Sequence, residues 1–180
     1  GTRLYKEDGT VGSALLSGYA EDNKDALGLP KGSLDKYVEA LNWVYDRPGM
    51  EPMQYVICAM LASPLVKLYG ASYKGIPVVI TGASSGKGKT TACLSALYAF
   101  GDATKLTIAG DVGATMKARS ALLGTMSDLP VLFDEVTNMR ADVLSSLAYA
   151  LSNGVEPLRL RATQGSVRFA DRETWNLQAA

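Results

Sequence analysis

The sequence predicts an α/β fold in which a parallel sheet lies between helices, and three observations predict it. Short apolar, often β-branched runs alternate with longer apolar-striped segments from Ile76 onward. A glycine-rich turn at Ala83–Thr90 joins the first of these runs to a helix. A later run, Val131-Leu132-Phe133, ends in two carboxylates, Asp134 and Glu135. Strands separated by helices cannot pair as tight hairpins, so the sheet they form is parallel and needs cover on both faces.

Residues 1–32 are polar and glycine-studded, with one short apolar run at Ala14–Leu16, and no function is assigned to them. Ser33 then reads as a helix N-cap, and Leu34, Tyr37, Val38, Leu41, Val44 and Tyr45 follow at helical spacing up to Pro48 and Gly49. A second helix is expected over Glu51–Tyr69, apolar nearly all round and therefore buried, kinked at Pro64 and stopped by Gly70. Residues 33–72 thus form a helical layer packed on a core of residues 73–180. In that core Ile76–Thr81 reads as a buried strand, and Thr90 to about Phe100 as a helix ended by Gly101. Lys105–Ala109 reads as a strand and Ala114–Leu123 as a helix. Leu129–Phe133 is a further strand, and Arg140–Leu151 a helix ended by Asn153 and Gly154.

Composition narrows the chemistry. The chain has 180 residues, 47% of them apolar, which suits one well-buried domain and argues against disorder. Eighteen basic and 18 acidic side chains cancel, so any nucleic-acid contact must come from a local patch. The absence of histidine removes histidine general bases and the usual zinc sites. Cys58 and Cys93 lie in apolar helical patterns and read as core thiols of a reducing compartment, which points to the cytoplasm. The most apolar stretch, Val56–Val66, is too short for a hydrocarbon core of ~30 Å, so no membrane contact is expected. The chain starts at Gly1 and stops among apolar residues at Leu177–Ala180, from which a longer parent protein is expected.

Ala83-Ser84-Ser85-Gly86-Lys87-Gly88-Lys89-Thr90 fits the phosphate-loop pattern, with Ala83 where glycine is commonest. A triphosphate can be surrounded by backbone N–H groups only where no Cβ intrudes, and Gly86 and Gly88 permit that turn. The helix that follows aims its N-terminal dipole at the phosphates. Lys89 is expected to reach the β- and γ-phosphates of ATP and the Thr90 hydroxyl to ligate Mg²⁺. Lys87 either touches phosphate or faces solvent. A strand before the loop and a helix after it, as the motif requires, disfavour a mere glycine-serine surface turn.

Asp134 and Glu135 follow Lys89 by about 45 residues, at the C-terminal edge of a strand, where open α/β sheets bind ligands. Asp134 is expected to hold Mg²⁺, and Glu135 to orient and deprotonate the attacking water. Asn138 either caps the next helix or probes the γ-phosphate, capping being preferred. Leu158-Arg159-Leu160-Arg161 and Val167-Arg168-Phe169 alternate about a Gln164-Gly165 turn, which reads as a hairpin. Period two sets Arg159, Arg161 and Arg168 on one face. Three readings remain open for them: a solvated face, a nucleic-acid contact, or a finger reaching a neighbouring subunit's nucleotide. Arg140 and Arg172 are weaker finger candidates.

Gly75–Gly82 leading into the phosphate loop, Leu129–Glu135, and Tyr149-Ala150-Leu151-Ser152-Asn153-Gly154 together resemble a domain family of phages and mobile elements. That family is known mainly as a domain of unknown function attached to primase-helicases, and it is similar to superfamily-three and AAA+ helicases. The resemblance spans roughly residues 34–180. It implies a P-loop NTPase with a RecA/AAA+-like parallel sheet between helices, an N-terminal helical layer and a β-hairpin insertion. It also implies ATP-driven movement along single-stranded or forked DNA and a homo-oligomeric, hexameric ring. Lys89, Thr90, Asp134 and Glu135 fall on matching positions, whereas the family's polar sensor lies beyond Thr174–Leu177 and no arginine finger is identified. A packaging or assembly ATPase and a P-loop kinase are the rival readings. A GTPase lacks its guanine-reading motif here, and a transporter ATPase its glycine-rich signature.

Overall fold

The computed structural model describes residues 4–5, 11–12, 32–70, 73–82, 84–110, 115–158, 160–163 and 166–180. The chain opens with a small antiparallel pair, β1 (Leu4–Tyr5) and β2 (Val11–Gly12), within the segment that carries no sequence assignment. Helix α1 (Leu34–Tyr45) follows. Ser33 occupies its N-cap with an extended backbone and accepts the Tyr37 N–H through its carbonyl at 3.1 Å, but its hydroxyl makes no cap bond. The α1 stripe is only partly used. Tyr45 is buried and the Tyr37 hydroxyl donates to Ser95 O at 2.8 Å, while Leu34 and Val38 are exposed.

The expected single helix over Glu51–Tyr69 is two elements. Helix α2 (Glu51–Leu61) ends at Ala62, and a 3₁₀ stretch runs Ser63–Tyr69 with Pro64 in its first turn. The missing proline N–H breaks the α-helical ladder, and the chain tightens instead of kinking. Gly70, at φ +93°, stops it as expected. Nor is the segment buried all round: Tyr55, Cys58, Leu65, Leu68 and Tyr69 face out. Cys58 is therefore a surface thiol, whereas Cys93 is buried. No helix among the described residues is long and apolar enough to cross a membrane.

Helix α3 (Lys89–Leu97) runs beneath α2, with Ala92, Cys93, Ala96 and Leu97 buried between α2 and the sheet. Strand β3 (Thr107–Ala109) leads to helix α4 (Met116–Met126), whose N-cap Thr115 accepts the Ala118 N–H at 3.2 Å. Strand β4 (Leu132–Asp134) passes through a 3₁₀ turn (Val136–Asn138) to helix α5 (Ala141–Asn153). Gly154 ends α5 in the left-handed conformation at φ 64°, where an added Cβ would meet Trp175 O at 2.6 Å. Asn138 lies in the 3₁₀ turn, and Arg140 takes the N-cap of α5 without a side-chain bond, so the preferred capping role of Asn138 is not realised.

β3 and β4 pair in parallel, Thr107 opposite Leu132 and Ala109 opposite Asp134. Residues 178–180 continue this sheet on the far side of β4. Val131 N–H donates to Gln178 O (3.1 Å), Ala180 N–H to Val131 O (3.0 Å), and Phe133 N–H to Ala180 O (2.7 Å). The Ile76–Thr81 run lies beyond, touching the sheet through a parallel bridge between Pro77 and Ala179 and a 2.7 Å bond from Val78 N to Ala179 O. The expected buried strand is thus a partly exposed edge segment, with Val79 77% exposed. Proline at position 77 supplies no ladder donor, and Ile76 N–H is satisfied by the Gln178 side-chain carbonyl at 2.8 Å.

The expected hairpin is present as β5 (Leu160–Thr163) and β6 (Ser166–Phe169), antiparallel, with Leu160 opposite Phe169. Its root is paired in the same register, Val155 opposite Thr174. From there Trp175 and Leu177 enter the core, fully buried against residues of α2 to α5. Each such side chain contributes roughly 1.5–3 kcal/mol.

Candidate functional site

The site forms on one edge of the sheet, where the 76–81 segment, β3 and β4 end and α3 begins. Parallel strands all deliver their C-termini to that edge, so residues distant in sequence converge there. Gly86 and Gly88 adopt φ 73° and 80°, a region that costs other residues energy. Gly88 is the N-cap of α3, and Lys89 and Thr90 are its first helical residues. Ser84–Lys87 are exposed, Lys87 with them, and Lys89 is half-buried. Ala83 lies outside the described residues.

The Lys89 side chain turns back across the loop. Its Nζ donates to Ser84 O at 3.1 Å and stands 3.3 Å from where a Cβ on Gly82 would sit. A helix start, glycine-borne amides and an ammonium thus share one small region, an arrangement that suits a polyanion.

Opposite the helix start stands Asp134. The Thr90 hydroxyl donates to Asp134 Oδ1 at 3.4 Å, across 44 residues of sequence, and the same oxygen accepts Glu135 N–H at 3.0 Å. One hydroxyl and one carboxylate are too few to cage a cation alone, and no group of three acidic, Cys or His side chains occurs among the described residues. The pair does suit Mg²⁺, which keeps several waters and is held by one or two protein ligands together with phosphate oxygens. Beneath them burial pushes the Cys93 thiol up to about 11, with the Asp134 charge as the second cause.

Glu135 carries the most unusual backbone of the site. It is a non-glycine residue in the left-handed region, at φ 57° and ψ 35°, and its side chain is exposed. Such strain persists where surroundings over-determine it, and it concentrates at functional sites. Gly110 supplies the constraint. Its N–H donates to Asp134 O at 2.6 Å, and an added Cβ would lie 2.4 Å from Glu135 O. Sequence reading missed Gly110; a glycine closing a strand run is the available signal, since it marks a close backbone approach.

The arginines divide. Arg159 lies outside the described residues, and of the side chains of Arg161 and Arg168 nothing is described, although the two residues are directly opposed in the β5–β6 register. Arg140 is engaged by Asp142 at 3.1 and 2.8 Å, and this hydrogen-bonded pairing lowers the Asp142 pKa. Arg172 Nε donates to Glu156 O at 2.7 Å.

No curated protein and no solved structure matches this chain. A family model does, over residues 8–171, so the chain belongs to the family described as Domain of unknown function (DUF927).

Proposed function

We propose that the chain binds Mg²⁺-ATP and hydrolyses it as the motor domain of a replicative helicase or primase-helicase acting on DNA. The observation that supports this reading is the 3.4 Å approach of the Thr90 hydroxyl to Asp134, with Lys89 and Thr90 as the first two residues of the same helix. In this reading the loop amides and Lys89 hold the β- and γ-phosphates. Thr90 and Asp134 would hold Mg²⁺, which would supply charge neutralisation at the phosphate oxygens. Glu135 accepts a proton from water as its oxygen bonds the γ-phosphorus and the bond to the β–γ bridging oxygen breaks, leaving ADP and phosphate.

A carboxylate directly after the metal-holding aspartate favours hydrolysis over transfer to a second substrate. The step to DNA rests on the resemblance to phage primase-helicases and on the hairpin carrying Arg159, Arg161 and Arg168. Ring assembly, and a host cytoplasm for a phage-encoded chain, belong to the same proposal.

An ATPase assay with and without single-stranded DNA tests it. Lys89→Ala is expected to lose nucleotide binding. Glu135→Gln is expected to keep binding and lose about 10²-fold or more in turnover. Wild-type hydrolysis by both variants overturns the site. Hydrolysis indifferent to any polynucleotide replaces the motor with a packaging or assembly ATPase.

A further inference from the structure

A second cleft, of about 620 Å³, lies away from the phosphate loop. Ser145, Ser146, Tyr149 and Asn153 line one side from a common face of α5, since residues three and four apart share a side of a helix. Pro157 and Arg172, on opposite arms of the hairpin beside its root, line the other. The size is that of a small-ligand pocket.

The lining groups are complementary to a particular ligand. Tyr149 is 74% exposed, so its ring is open to a stacking partner from the cleft. Arg172 is held at the rim by its 2.7 Å bond to Glu156 O, and its remaining N–H groups are donors only. Ser146 Oγ donates to Asp142 O at 2.8 Å and Asn153 Nδ2 to Tyr149 O at 3.0 Å, which leaves oxygen lone pairs as acceptors. An aromatic face, a guanidinium and acceptor oxygens match a base, a phosphate and the base's N–H edge. The charge selects further. Arg172 is the one charged side chain among the lining residues, and a single guanidinium suits the one charge of a phosphodiester and not a triphosphate.

We propose that this cleft binds one nucleotide of a single strand, with its base on Tyr149 and its phosphodiester on Arg172. The inference rests on reading this chain as a DNA-stimulated ATPase. It adds a route for that stimulation, because α5 begins just after the 3₁₀ turn that follows Glu135 and carries the cleft from Ser145 to Asn153.

Fluorescence anisotropy of labelled oligo(dT) on the whole protein tests it, with ATPase rates read on the same samples. Tyr149→Ala is expected to weaken the oligonucleotide about tenfold or more, and Tyr149→Phe to stay within about twofold of wild type. Arg172→Gln should weaken binding and flatten the dependence of log K on log salt by about 0.7. Basal ATP hydrolysis should be unchanged in Tyr149→Ala while its stimulation by oligo(dT) is lost. Binding by Tyr149→Ala equal to wild type overturns the cleft assignment and leaves the ATPase reading intact. Displacement of oligo(dT) by dTMP at matching affinity overturns it in favour of a free-mononucleotide site. A wild-type protein that binds no strand overturns both the cleft and the DNA motor, whereas failure of the ATPase reading itself is seen only in Lys89→Ala and Glu135→Gln.

Discussion

Replacing Gly110 with alanine should separate ATP binding from hydrolysis. The added Cβ would lie 2.4 Å from Glu135 O, 2.7 Å from Glu135 C and 2.8 Å from Asp134 O. All three are backbone atoms, so no side-chain rotation relieves the clash. Ordinary contact lies near 3.5 Å, and the strand end and the Asp134–Glu135 peptide must therefore part by about 1 Å. The 2.6 Å bond from Gly110 N to Asp134 O resists that movement, so the strain falls on the strained Glu135 backbone. A displacement of about 1 Å at a catalytic group costs on the order of 10²-fold in rate. The three atoms that the added Cβ meets belong to Asp134 and Glu135 and not to Lys89 or the loop glycines, so ATP affinity should stay close to wild type. Steady-state kcat, a fluorescent-nucleotide titration and a melting curve on the same preparation measure the three quantities. A variant with wild-type kcat refutes the claim that this contact positions Glu135. Affinity that falls as far as turnover refutes the separation of the two halves of the site.

Ser63 Oγ donates to Asp128 O at 3.0 Å and accepts Gln178 N–H at 2.9 Å, joining the helical layer to the sheet. Ser63→Ala leaves both partners unsatisfied in a buried place and should cost about 1–3 kcal/mol, read as a drop in Tm. Leu97→Ala empties a fully buried position of α3 and should cost about 2–5 kcal/mol in a urea titration. Iodoacetamide at neutral pH should label Cys58 on the folded protein and reach Cys93 only after denaturation, because Cys93 is buried with its thiol pushed up to about 11. A raised folded-state value means that the proton on Cys93 is bound more tightly in the native state. Its stabilising contribution should be whole below the ordinary value of 9.0 and lost as pH climbs toward about 11, seen as a steeper fall of Tm in wild type than in Cys93→Ala.

The glycine-rich turn into a helix was legible because its spacing carries its geometry: Gly86 and Gly88 stand where the chain takes positive φ, and Lys89 and Thr90 begin the helix. The Val131–Asp134 run was legible because a short apolar stretch ending in carboxylates suits a buried strand reaching a ligand edge. Other features depend on partners far along the chain. Val79 looks like a core residue by pattern, but the segment meets the sheet near Ile76, Pro77 and Val78, through Gln178 and Ala179, and Val79 is left exposed at the edge. Cys58 sits in a segment apolar on every side, where periodicity gives no inward face. Asn138 misses the helix start because a 3₁₀ turn intervenes. Gly110 is an ordinary glycine until the Asp134–Glu135 peptide lies against it.

The proposed site requires Thr90 and Asp134 to share a metal that arrives with nucleotide. Mn²⁺, titrated in place of Mg²⁺ and followed by electron paramagnetic resonance, reads this directly. Wild-type protein should bind the ion tightly only when ATP is present. Asp134→Asn should release it about tenfold more readily while still taking up nucleotide. Equal Mn²⁺ affinity in wild type and Asp134→Asn, or tight binding without ATP, would contradict it.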